Sequence, residues 1–140
     1  MGAQESGEIM PRKGNTTRAV AKQGLPQEGR LTLRLDFEDI GRLGPGKVRL
    51  LELVEEHGSI SAAGRAMDMS YRRAWRLIDE LNRTFADELV KTQKGGAQGG
   101  GAVLTETGRT ILNAYRTIEK KAQKAAAAEI AFIARALAKP

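Results

Sequence analysis

Gly58-Ser59-Ile60-Ser61-Ala62-Ala63-Gly64-Arg65-Ala66-Met67-Asp68-Met69-Ser70-Tyr71-Arg72-Arg73-Ala74-Trp75-Arg76-Leu77-Ile78 is the stretch whose reading decides the fold. Ser59 or Ser61 can open a helix, because a hydroxyl there accepts a bond from an orphan backbone N–H. Ala62, Ala63, Gly64 and Ala66 are small and let that helix lie close against its neighbours. Asp68 breaks the pattern, and Ser70 is the next capping residue. The spacing predicts a short helix over 59–67, a tight turn, and a second helix from Tyr71 to about Thr84 that buries Ala74, Trp75, Leu77, Ile78 and Leu81. Two helices joined so tightly make a helix-turn-helix, whose second helix can enter the major groove with its first turns against base edges.

The chemistry of that second helix fits the task. Arg72, Arg73 and Arg76 fall within about 100° of arc, at about 100° per residue, away from the apolar face. A guanidinium group pairs bidentately with guanine O6 and N7 and with phosphate. Ser70 and Tyr71 sit at the same tip. Asp79, Glu80 and Arg83 read as ordinary solvated surface.

Outward from this pair, Gly44-Pro45-Gly46 leads into a helix over 46–57, with Leu50, Leu51, Leu53 and Val54 inward and Gly58 as its stop. Before it, Leu31, Leu33, Leu35 and Phe37 alternate with Arg30, Thr32, Arg34 and Asp36, the period of a half-buried strand. After the pair, 88–93 and 102–104 flank a glycine-rich run, Gly95 to Gly101, and read as a β-hairpin with a long tip. Lys91, Lys94 and Gln98 equip this hairpin to lie against a sugar-phosphate backbone as a wing. The run has no Gly-Lys-Ser/Thr ending, which argues against a nucleotide-binding loop.

Thr105 caps a last helix, expected to run unbroken through 106–138 because no proline precedes Pro140. Ile111, Tyr115, Ile118, Ala122 and Ala125 recur at heptad spacing, and the stripe through Ile111, Tyr115, Ile118 and Ala122 is expected to pair two copies. Residues 1–29 carry no periodic pattern and read as a disordered tail with scattered cations. The expected organisation is a tail over 1–29, a DNA-binding domain over 30–105 and a dimerisation helix over 106–140.

Composition narrows the classes. The 140 residues include 23 Lys and Arg against 17 Asp and Glu, a formal charge of +6 that favours a polyanionic partner. There is no cysteine and only one histidine, His57, so neither a thiol nor a histidine-rich metal cluster is available. His57 sits where it meets the negative end of a helix dipole. No catalytic constellation, metal site or cofactor is expected, and no apolar run reaches the length of a membrane span. With no secretory signal in evidence, the expected location is the cytoplasm.

The segments Gly58–Ala63, Met69-Ser70-Tyr71-Arg72-Arg73-Ala74-Trp75 and Gly95–Gly108, the last running through Ala102-Val103-Leu104-Thr105, closely resemble the N-terminal domain of the molybdate-responsive ModE regulators, relatives of the LysR-type winged-helix proteins. The resemblance covers roughly 30–120. It implies a homodimer on an inverted-repeat operator in double-stranded DNA. Ser70, Tyr71, Arg72 and Arg73 match the start of the family's recognition helix, and Gly95 to Gly101 its wing. Ser59 and Ser61 at the first helix, with Arg76, Lys91, Lys94 and Gln98, complete the candidate DNA-facing set. ModE regulators carry molybdate-binding domains after this unit. The sequence ends at Pro140, so no direct molybdate binding is expected.

The fold class expected is mainly α with a small β-sheet: a winged helix-turn-helix with a long C-terminal dimerisation helix. The competing reading is an interaction protein that pairs through the C-terminal helix, with its Ile130, Phe132, Ile133 and Leu137, to modulate another regulator.

Overall fold

The structure, a computed structural model, describes residues 29–94 and 100–138. Residues 1–28 of the expected tail over 1–29, and most of the wing tip, including Gln98, lie outside the described residues. In chain order the elements are β1 (Leu35–Phe37), β2 (Gly41–Leu43), α1 (Pro45–His57), α2 (Ile60–Ala66), α3 (Tyr71–Thr84), β3 (Val90–Gln93), β4 (Gly101–Leu104), α4 (Glu106–Ala125) and α5 (Ala127–Arg135). This is a mainly α winged helix-turn-helix. Its strands form two antiparallel pairs, β1 with β2 and β3 with β4.

Thr32–Ile118 forms one compact unit. Its centre is wholly apolar: Leu50, Leu51, Val48 and Val54 from α1 meet Ala74, Ile78 and Leu81 from α3, with Leu89, Val90, Ala102 and Leu104 of the hairpin and Leu112 of α4. Pro45 takes the first position of α1, where its missing N–H costs nothing. Gly58 ends that helix at φ 77°, a left-handed conformation that a residue with a Cβ rarely adopts, and its N–H returns to the Val54 carbonyl.

The hairpin is tied to three helices. The Ala102 N–H donates to the Gly58 carbonyl at the end of α1 (2.9 Å). The Asn82 side chain on α3 accepts from the N–H groups of Leu89 (2.8 Å) and Val90 (3.1 Å) and donates to the Val90 carbonyl (3.0 Å). Thr105 joins the hairpin to α4: its hydroxyl accepts from the Gly108 N–H (2.9 Å), capping the helix, and donates to the Glu88 carbonyl (2.7 Å). Register follows, with Val90 opposite Leu104 and Lys91 opposite Val103.

Three expectations need correction. The strand read over 31–37 is a strand only at Leu35–Phe37, because the chain reverses at Glu38 (φ 50°) and pairs back through the unanticipated β2. The burial alternation survives at Leu33 and Leu35, but the Leu33 carbonyl is taken by the Tyr115 hydroxyl (2.6 Å) instead of a strand partner. Trp75, expected inward, is 37 % exposed. The unbroken helix over 106–138 is two helices parted at Ala126, whose ψ of 11° leaves the helical region, and the second ends at Arg135. The flanking hydrogen bonds, Ala126 N–H to Ala122 and Ile130 N–H to Ala126, persist across the break. No proline or glycine marks that break in the sequence.

The second unit contains 29–31 and 119–138 among the described residues. Within it the Leu31 N–H donates to the Gln123 side chain (2.8 Å), and Phe132, Ile133 and Leu137 are exposed.

Two measurements test this packing. A Cβ on Gly108 would run into the Leu89 carbonyl, a backbone atom fixed by the Thr105 N–H. Gly108→Ala should therefore cost about 1–3 kcal/mol in chemical denaturation, as overpacking does, although alanine is the better helix former. The second concerns the α1–α4 contact, where Arg116 holds both oxygens of Glu52 at 2.7 Å and Arg49 adds a third contact at 3.1 Å. Burial works to raise the Glu52 pKa, but Arg116 and then Arg49 outweigh it, and the carboxyl lies below its usual 4.5. Its stabilising contribution is thus present above the unfolded value and lost as pH falls through the lowered folded value. Thermal melts should drop below about pH 4.5, and the drop should be shallower in Glu52→Gln.

Candidate nucleic-acid interface

The helix-turn-helix is built from α2 and α3. Ser59 caps α2, its hydroxyl accepting from the Ala62 N–H (3.0 Å), and Ser70 caps α3 by accepting from the Arg73 N–H (3.1 Å). Between them Asp68 takes φ 60°, a left-handed value that a short polar side chain tolerates. Gly64 and Ala74 meet where the two helices cross, so the small residues read from the sequence do set the close approach.

With its apolar face spent on the core, α3 presents Arg72, Arg73 and Arg76 outward, all exposed. Their guanidinium groups form no salt bridge or hydrogen bond with any described residue. Several cations elsewhere are engaged by carboxylates. Arg34 pairs with Asp36, Arg49 and Arg116 with Glu52, and Arg109 with Glu55. The two carboxylates within reach of Arg76 along the helix are also taken. Asp79 binds Arg83 (3.0 Å) and Glu80 binds Lys47 (3.3 Å).

Local stability would not choose this arrangement. Arg72 and Arg73 lie in the first turn of α3, at the positive end of its dipole, with no acidic residue there to offset them. Arg72 and Arg76 are also a like-charge pair four residues apart, destabilising by about 0.2–0.5 kcal/mol. Groups held at such a cost, unpaired and facing solvent, suit an anion supplied from outside.

The remaining candidates fall as follows. Tyr71 is 58 % exposed at the tip of α3. Ser61 is half-buried, its hydroxyl accepting from Arg65 (2.9 Å), an exposed arginine absent from the sequence-derived set. Lys91 and Lys94 are exposed on the hairpin. Of the apolar stripe on α4, Tyr115 is only 1 % exposed and Ile111 packs on the core of the same unit, whereas Ile118 is 39 % exposed and Ala122 half-buried.

Two residues at this surface escaped the sequence reading. Trp75 stands edge-on to Tyr71, ring centroids 6.2 Å apart. Its displacement was visible in principle, since it lies about 60° outside the arc of Ala74, Leu77, Ile78 and Leu81. Asn82, which anchors the wing, lies on that same side of α3 and has only its isolated polarity as a signal.

Among the described residues no group of His, Cys, Asp or Glu is placed to hold a metal ion. No described helix is long and apolar enough to cross a membrane.

Residues 46–109, from α1 through the first turn of α4, match the family of bacterial regulatory helix-turn-helix proteins of the LysR type. Over 88 residues the chain is 42 % identical to the molybdenum transport protein ModE of Azotobacter vinelandii, covering 62 % of this chain and 33 % of that one. It is 40 % identical over 102 residues to the molybdenum-pterin-binding protein MopB of Rhodobacter capsulatus, covering 72 % and 38 % respectively. It is 37 % identical over 98 residues to the DNA-binding transcriptional dual regulator ModE of Escherichia coli, covering 68 % and 36 %. The chain thus spans between 33 % and 38 % of the length of these relatives. The unpaired arginines therefore stand on a helix-turn-helix of known lineage: this chain carries a LysR-type DNA-binding domain of the ModE type.

Proposed function

We propose that this chain is a sequence-specific transcriptional regulator that reads an inverted-repeat operator as a homodimer in the cytoplasm. The observation that carries the reading is the trio Arg72, Arg73 and Arg76, exposed and without a carboxylate partner among the described residues, on the second helix of a helix-turn-helix. Lys91 and Lys94 on the hairpin supply a second, backbone-facing contact, joined by Gln98 of the tip. Relatives named for molybdenum transport and molybdenum-pterin binding favour genes of molybdenum handling as the targets.

The dimer rests on what the core of Thr32–Ile118 leaves uncovered. Ile118 is 39 % exposed, Ala122 follows it four residues later on α4, and Phe132, Ile133 and Leu137 are wetter still. Leaving such surface in water forfeits about 25 cal/mol per Å² of apolar area. Pairing about a two-fold axis would place the two copies of α3 on successive major-groove faces, about 34–36 Å apart or a multiple of that. The exposed apolar end of α5 also favours a second reading, in which it docks on another regulator and modulates it. A chain that stays monomeric alone yet joins a stoichiometric complex with that regulator would support this second reading over the first.

Selection of duplexes from a random pool should enrich a palindrome. With that site, replacing a base-reading arginine among the three by Ala should cost about 1–3 kcal/mol and relax preference at one position, whereas loss of a phosphate contact should weaken all sequences alike. Undiminished affinity after removal of all three arginines would refute this reading of α3. Sedimentation should show a dimer at about tens of micromolar, weakened by Ile118→Asp together with binding to the palindrome; a monomer unchanged by that substitution would refute the dimer.

A further inference from the structure

The exposed flank of α3 carries a second ridge beside the arginines. Tyr71 and Trp75 lie four residues apart, edge to face, with ring centroids 6.2 Å apart and an interplanar angle of 74°. Tyr71 is 58 % and Trp75 37 % exposed, in a domain whose other large apolar side chains of α3 are buried or half-buried. The ridge lies about 60–140° round the helix from Arg72 and Arg76, on the side where Asn82 binds the base of the hairpin. It therefore shares the helix face from which Asn82 reaches the hairpin. Tyr71 leaves more than half of its surface in water and Trp75 more than a third, and neither belongs to the buried core.

Base edges offer one apolar feature in the major groove, the thymine 5-methyl group; cytosine has only a hydrogen at that carbon. We infer that Tyr71 and Trp75 form a thymine-methyl reader, so that α3 specifies its site through two adjoining ridges, guanidinium for guanine or phosphate and aromatic for thymine. This rests on the DNA-reading role proposed above and adds Trp75 as a specificity-determining residue. The T-shaped contact fixes each ring against the other, which limits the side-chain freedom lost when the methyl group is covered.

The test replaces thymines of the selected palindrome one at a time with deoxyuridine, which deletes the methyl group and keeps the base pair. Wild-type affinity should fall about fourfold at one or two positions per half-site, the effect of burying one methyl-sized group. That penalty should vanish in Tyr71→Ala or Trp75→Ala. Trp75→Phe, with circular dichroism to verify the fold, should retain part of it. Because Trp75 is the chain's one tryptophan, its emission should also change on saturation with the duplex. Tight binding indifferent to every deoxyuridine, a penalty unaltered in both alanine variants, or unchanged emission would each overturn the aromatic reader while leaving the arginine reading intact. Failure of the wild type to bind any duplex would remove both.

Discussion

The Asn82 side chain and the backbone at Leu89 and Val90 form the clamp on which the recognition geometry depends. One amide accepts two N–H groups and returns one to the Val90 carbonyl, so α3 and the first strand of the wing cannot slide past each other. The Leu89 carbonyl then accepts from the Thr105 N–H, and Gly108 lets the first turn of α4 close over it. An amide making three hydrogen bonds at the edge of an apolar core is costly to replace, because each partner left behind would be an unpaired backbone group. The wing strand thereby inherits its position from the same helix that presents the arginines.

That rigidity gives the charge pattern its meaning. Arg34 with Asp36 and Arg83 with Asp79 are exposed pairs, each contributing at most about 1 kcal/mol. The value of the pairs on α3 is allocation: Asp79 and Glu80 are occupied by Arg83 and Lys47, so neither is available to Arg76. The first two turns of α3 thus combine a dipole unfavourable to cations, like charges four residues apart and no acidic neighbour in the first turn. A phosphate would offset each of these contributions, and a guanine edge would supply acceptors that the guanidinium groups lack within the domain.

Much of this was legible in the sequence because the signals were local. The caps at Ser59, Ser70 and Thr105, the proline start and glycine stop of α1, and the hairpin flanking the glycine run are short-range chemistry, and the structure has each of them. Most of what differs depends on distant partners. β2 at Gly41–Leu43 has almost no strand signature of its own and exists because Glu38 reverses the chain onto it. Trp75 was assigned to the core on residue type, whereas its position beyond the apolar arc places it outside. Asn82 carries no mark of its role in the sequence beyond its isolated polarity, because its partners lie seven and eight residues on.

The heptad seam of α4 shows the same limit in another form. Spacing alone marks Ile111, Tyr115, Ile118 and Ala122 as one stripe, but a stripe does not say what covers it. Tyr115 is the largest fully buried side chain, and its hydroxyl reaches the Leu33 carbonyl 82 residues earlier in the chain. Ile111 packs on the same core. The domain therefore consumes Ile111 and Tyr115 of its own seam and leaves Ile118, the last residue of the Thr32–Ile118 unit, 39 % exposed. A partner helix would then meet the winged domain only at the limit of its core. Association through that remainder would leave the packing behind α3 unchanged, so two copies could join without disturbing the surface that each presents to DNA.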